Sequence, residues 1–293
     1  MKIGYFAIGL GPLTNPDWVR TVASSAERLG FSTLWAPEHV VLLDRFASKY
    51  PYSSGDFPVP TDTPIADPFT TLAFAAACTK RIRLGTGICL VPEHNPLVLA
   101  KTVATTDLLS KGRLILGVGI GWLEEEFQAL GVPWERRAQR TRETIEVMRK
   151  LWSEDRSAYD GEFVKFDSVR SFPKPANGKS VPVWFGGESG PALRRVAESG
   201  DGWIGFNLTA DQAATKIERI EELLKANRRE RSDVELAVSP YTKPIKTDDL
   251  KRYRDAGADE VALLLRGRAR NAAEIIAGME QLARDFVEPA TKL

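Results

Sequence analysis

The chain has 293 residues, 43% of them hydrophobic, enough to bury one large α/β core or two ordinary domains. Its 40 Lys and Arg stand against 39 Asp and Glu, a net charge of +1 with no block of like charge, so neither nucleic acid nor a membrane surface has an electrostatic case and a small molecule is the expected partner. Cys78 and Cys89 are the only cysteines and read as buried thiols in a reduced interior, with no disulfide framework and no metal set; with no signal peptide and no apolar run of transmembrane length, a cytoplasmic protein is expected.

Taken in chain order, short apolar runs alternate with helical patterns. The first strand is expected over Lys2–Ala7. Asn15-Pro16 then opens a helix that buries Trp18, Val22, Ala26 and Leu29 and ends at Gly30. The second strand, Thr33–Ala36, leads to His39. Val40–Ala66, rich in Pro, Ser and aromatics, is too long for a simple connection and reads as a lid. Asp67-Pro68 and Asn95-Pro96 open helices on either side of a third strand, Arg83–Thr86.

The fourth strand, Leu114–Gly117, runs into the glycine-rich stretch LGVGIGW over 116–122. That stretch invites a dinucleotide reading, but the G-x-G-x-x-G pattern needs glycine at 122, where the chain has Trp122. Glu124, Glu125 and Glu126 follow at a helix start, where the dipole favours negative charge, and are read as structural. Trp134, Trp152 and Phe163 are assigned to the core. Ser153–Ser180 is a second excursion with a hairpin turned at Asp160-Gly161. Strands over Val181–Phe185, Gly202–Phe206, Glu235–Tyr241 and Val261–Leu265 complete eight βα units. The expectation is a single α/β domain over 1–293, a (βα)8 TIM barrel with insertions after strands two and four at about 40–66 and 153–180.

In such a barrel the site lies at the carboxyl ends of the strands. The candidates there are His39, Thr86, Gly87, Gly119, Gly121, Trp122, Gly186, Gly187, Glu188, Ser189, Asn207 and Arg266. His39 and His94 are the only histidines and both fall on this face; with no H-x-H pair and no strand-end lysine, a metallohydrolase and a Schiff-base aldolase are disfavoured. WFGGES followed by Gly190-Pro191 has the layout of a phosphate site at a helix N-terminus, although Glu188 suits it only if it points away.

The segments WAPEHV, NPLVLAKTVATTDLLSKGR, GVGIGW, DGEFVKF and PVWFGGES followed by GDGW resemble the luciferase-like monooxygenase superfamily over roughly residues 1–265, most of all its branch of oxidoreductases that use coenzyme F420. The resemblance implies a deazaflavin ring over the strand ends, Thr86-Gly87-Ile88 as a bulge against one ring face, Gly119 and Gly121 as floor and Trp122 as wall. It implies a homodimer and a catalytic role for His39. It matches Trp122 to an acid used by sugar-phosphate dehydrogenases of the family, which speaks against glucose 6-phosphate as substrate. His94, Trp122 and Arg266 are the substrate-side candidates. The alternative is an FMN monooxygenase served by a separate reductase; a barrel that binds flavin without turnover is the third reading.

Overall fold

A computed structural model describes residues 1–52, 57–265 and 270–293. Eight parallel strands close into a barrel: β1 (Lys2–Phe6), β2 (Thr33–Ala36), β3 (Arg83–Thr86), β5 (Leu114–Gly119), β8 (Val183–Gly186), β9 (Gly202–Phe206), β10 (Glu235–Ser239) and β11 (Glu260–Leu263). The pairing of β3 with β5 and of β11 with β1 completes the circle. A two-residue strand, β4 (Cys89–Leu90), pairs outside it with the end of β5. The first, fourth, fifth, seventh and eighth barrel strands differ by one or two residues from the expected limits, because the ends of a strand are set by its neighbours' hydrogen bonds.

The helices are α1 (Pro16–Arg28), α2 (Pro68–Cys78), α3 (Pro96–Ser110), α4 (Glu124–Ala129), α5 (Arg137–Ser153), α6 (Gly190–Ser199), α7 (Ala210–Ala226), α8 (Asp249–Asp255), α9 (Ala272–Leu282) and the short α10 (Glu288–Ala290). All three Asx-Pro starts work as caps: Asn15 accepts from Asp17 and Trp18 N–H, Asp67 from Thr70, and Asn95 from Leu97 and Val98. Gly30 takes φ +83° just beyond α1, a conformation that costs glycine little. Among the described residues no helix is long and apolar enough to cross a membrane.

The second excursion forms a hairpin of β6 (Ser157–Asp160) and β7 (Lys165–Val169). Its turn spans residues 161–164, longer than the Asp-Gly pair alone, because the Gly161 N–H donates to the Val164 carbonyl. Residues 40–52 and 57–66 lie over the top of the barrel. They are tied down by Ala66 N–H to Gly9 O, Gly11 N–H to Pro64 O and a bridge between Leu10 and Ile65.

Inside the barrel, large and small residues share layers. Trp35 and Trp184 meet at 5.4 Å between ring centroids, and side chains at Gly85 and Gly202 would overlap their rings. At the amino-terminal end the fully buried Glu260 accepts from Ser32 Oγ, Thr33 Oγ1 and Trp35 Nε1, all at 2.7 Å, and from Arg83 Nη2 at 3.1 Å. Removing this acceptor strands buried donors. Glu260→Leu is expected to cost about 3 kcal/mol in urea unfolding, and a loss below 1 kcal/mol would show that the plug is not a stabilising element.

Candidate active site

At the carboxyl end of the strands lies a cavity of about 550 Å3. Its floor holds Phe6, Gly87, Ile88 and Ile204, and its roof is the crossing segment, with Tyr50, Tyr52, Phe57, Val59 and Ile65. The Gly87–Ile88 peptide is cis. Ile88 is seated in a hollow made by absent side chains, since a Cβ at Gly119 or Gly186 would overlap it.

His39, Gly87, Ile88, Gly121, Trp122, Gly186, Gly187, Glu188 and Ser189 all line the cavity. Four other candidates are not part of the lining. Thr86 is fully buried with Oγ1 donating to Gly117 O at 2.7 Å, and Gly119 lies beneath Ile88 rather than forming floor itself. Asn207 serves as a brace: its Nδ2 donates to Tyr52 O in the roof at 2.6 Å, while Oδ1 accepts from the Thr242 N–H and hydroxyl. His94 is held by Glu38, 3.0 Å from Nε2. Arg266 lies outside the described residues.

His39 owes its orientation to Glu126. Oε2 of this fully buried carboxylate lies 2.7 Å from His39 Nδ1, and Oε1 accepts from the N–H groups of Val40 at 2.7 Å and Val41 at 3.1 Å. Glu125 does the same further along, accepting from Ala47 at 2.6 Å and Ser48 at 3.2 Å. Two of the three glutamates read as helix-start residues are therefore the anchors of the roof. Trp122 packs edge-on against His39 at 5.9 Å, Tyr50 at 5.2 Å and Phe46 at 5.8 Å, and tilted on Phe57 at 5.5 Å. The imidazole thus sits among apolar rings with one nitrogen committed to a carboxylate.

A second carboxylate, Glu38, is also buried. It accepts from Leu90 N–H, lies near His94 Nε2, and takes the Cys89 thiol hydrogen bond, which with burial pushes that thiol up. The Glu38, Cys89 and His94 atoms lie within 4.8 Å of one another, and these hydrogen bonds account for the cluster. Burial alone would lower His94, but the hydrogen bond and charge of Glu38, helped by Asp67, raise it. Glu93 differs. Its two carboxyl oxygens are buried with no hydrogen-bond partner among the described residues, and burial, reinforced by the charges of Glu126 and Glu38, pushes it up to about 9. Glu38 and Glu93 belong to two Pro-Glu-His triplets, at 37–39 and 92–94, a repetition visible in the sequence that marks both carboxylates.

At the opposite rim, α6 begins beside Gly187, which takes φ +99°. Ser189 Oγ accepts from the Ala192 N–H at 3.3 Å, leaving earlier N–H groups for a ligand. Glu188 points away from that N-terminus, with Oε1 accepting from Phe206 N–H at 2.7 Å, and burial pushes it up to about 7. Trp134, Arg137 and Arg195 complete this rim. Trp134 is therefore a wall residue rather than core, whereas Trp152 is core, 1% exposed.

These features define a parallel barrel whose site gathers an imidazole–carboxylate pair, aromatic walls and a glycine turn that opens a helix. The chain belongs to the luciferase-like monooxygenase family, whose model matches residues 1–289, and it is an oxidoreductase of that family. It is 36% identical over 264 residues to an uncharacterized protein of Mycobacterium tuberculosis, covering 89% of this chain and 91% of that one. It is 31% identical over 223 residues to the F420-dependent glucose-6-phosphate dehydrogenase of Intrasporangium calvum, covering 72% of this chain and 60% of that enzyme. Among solved structures it superposes on an F420-dependent secondary alcohol dehydrogenase in complex with an F420-acetone adduct, with TM-score 0.76, 18% identity and coverage of 99% and 98%. The monooxygenase RslO1 from Streptomyces bottropensis gives TM-score 0.74 at 20% identity, with coverage of 98% and 99%.

Because Glu93 binds its proton more tightly in the folded than in the unfolded chain, it favours folding at low pH, and that advantage is lost as pH rises from the usual carboxylate range toward about 9. Glu93→Gln should therefore raise Tm at pH 8.5 and flatten the fall in Tm between pH 7 and 9, above the range where Glu188 contributes. Equal pH dependence in mutant and wild type, by calorimetry, would show Glu93 to be solvated.

Proposed function

We propose that the chain is a coenzyme F420-dependent oxidoreductase that moves a hydride to or from a small organic substrate. The observation that carries this reading is the His39–Glu126 pair inside the cavity, 2.7 Å from Nδ1 to Oε2, with aromatic walls around it. The residues fit the cofactor on two counts. The flat apolar space over Ile88 suits a planar ring, and the glycine turn before α6 suits a phosphate, since a side chain at Gly187 would press on Ala192 at 3.2 Å.

When bound, coenzyme F420 supplies the hydride acceptor or donor at C5 of its ring. The protein moves the proton. With Nδ1–H donated to Glu126, the neutral imidazole presents Nε2 as a base to a substrate hydroxyl; the reverse reaction takes the proton back from an imidazolium that Glu126 stabilises. Phe57 and Trp122 pack edge-on against the His39 ring at 5.5 and 5.9 Å and give the substrate an apolar neighbour. Trp122 stands where the sugar-phosphate dehydrogenases carry an acid, so the proposed substrate is not a sugar phosphate.

His39→Ala should lower kcat by about 10²–10⁴ and leave cofactor affinity within a few-fold, and His39→Asn should recover little. Near-wild-type kcat in both variants would make His39 a wall residue. Gly187→Val should weaken coenzyme F420 at least tenfold, about 1.4 kcal/mol, read by fluorescence titration beside a Tm. Tight binding of FMN in place of coenzyme F420 would overturn the cofactor assignment and leave the FMN monooxygenase reading.

A further inference from the structure

The rim beside Ser189 carries a charge that the phosphate turn does not explain. Arg137 and Arg195 both line the cavity there. Arg137 is held as a platform: its guanidinium stacks 3.5 Å over the Trp134 ring, Nε donates to Gly121 O at 3.3 Å, and Trp134 is itself braced edge-on by Phe127 at 5.1 Å. Arg195 has a buried Nε with no hydrogen-bond partner among the described residues. The groups that face it are Arg137, Arg142 and Arg194, with Glu198 as the one acid, and Glu198 is already paired with Arg142 at 3.5 Å. Burial lowers both Arg137 and Arg195, Arg195 with the further push of its cationic neighbours. Glu124 is the acid that acts on Arg137, and neither arginine has a carboxylate hydrogen-bonded to it among the described residues; two guanidinium groups kept half-buried and close together are costly to hold unless an anion completes the arrangement.

We propose that Arg137 and Arg195 form a second anion subsite, beyond the phosphate turn, that binds the carboxylate-bearing tail of the cofactor. The proposal rests on the coenzyme F420 reading, because that cofactor carries a chain of glutamate carboxylates past its phosphate, whereas FMN ends at one phosphate. The planar forks of the two arginines suit carboxylate groups. Arg137 opens α5 and Arg195 lies midway along α6, and both line the cavity on the side of Ser189, so a flexible anionic chain leaving the turn meets both.

The test is a fluorescence titration of wild type, Arg195→Gln, Arg137→Gln and the double variant with three probes: coenzyme F420 with its glutamate tail, the same deazaflavin ending at the phosphate, and FMN. Each protein is titrated at low and high salt, with a Tm for each variant. The expected result is a loss of at least tenfold for tailed coenzyme F420 in each single variant, a shallower salt dependence, and changes under threefold for the ligand without glutamates. Equal losses for tailed and tail-free ligands, or unchanged affinity for both, would overturn the subsite. So would unchanged cofactor affinity with a raised KM for an anionic substrate, which would move the arginines to substrate binding. Wild-type protein that binds neither deazaflavin would instead overturn the cofactor reading, a result visible before any variant is compared.

Discussion

A wholly buried carboxylate is tolerated only when its lone pairs are met by fixed donors, and Glu126 meets that condition by drawing two parts of the chain together. The chain leaving β2 must turn so that Val40 and Val41 aim their N–H groups at α4, and this turn places the His39 ring over the strand ends. The same contact that orients the imidazole therefore starts the roof of the cavity, and Glu125 continues it at Ala47 and Ser48. The orientation of His39 and the closure of the cavity both depend on one short helix.

The two ends of the barrel use buried acids differently. At the amino-terminal end Glu260 is saturated by four donors, so its charge is compensated and the end is rigid. At the carboxyl end Glu38 and Glu126 accept hydrogen bonds, but Glu93 has no hydrogen-bond partner among the described residues and keeps its proton instead. Burial, reinforced by the charges of Glu126 and Glu38, holds the proton on Glu93. Compensation at one end and frustration at the other fit a barrel that places stability below and chemistry above.

The aromatic roof explains why Trp122 is compatible with a working site. An acid at that position would need donors of its own; the indole needs only apolar neighbours, and Phe46, Tyr50 and Phe57 from the roof provide them. Trp122 makes this wall apolar without disturbing His39, whose partner comes from the next helix.

The barrel was legible because its signals are local. Asx-Pro caps, the strand–helix alternation and the glycine turn at 186–187 act within a few residues, so the eight units and part of the cavity-lining set, His39 and Ser189 included, could be read from the chain. Trp134 and Glu126 could not, since a core tryptophan and a wall tryptophan look alike in one dimension, and a glutamate at a helix start has a local explanation already. The bond from Asn207 to Tyr52 is likewise outside what the sequence shows: a strand-end position says which face a residue is on and nothing about the loop that crosses it. What the sequence by itself determined was the barrel and the end of it that carries chemistry. What only the tertiary structure decided was which buried charges find partners, because donors for Glu126, Glu38 and Glu260 come from segments up to 228 residues away and are brought together only when the barrel closes.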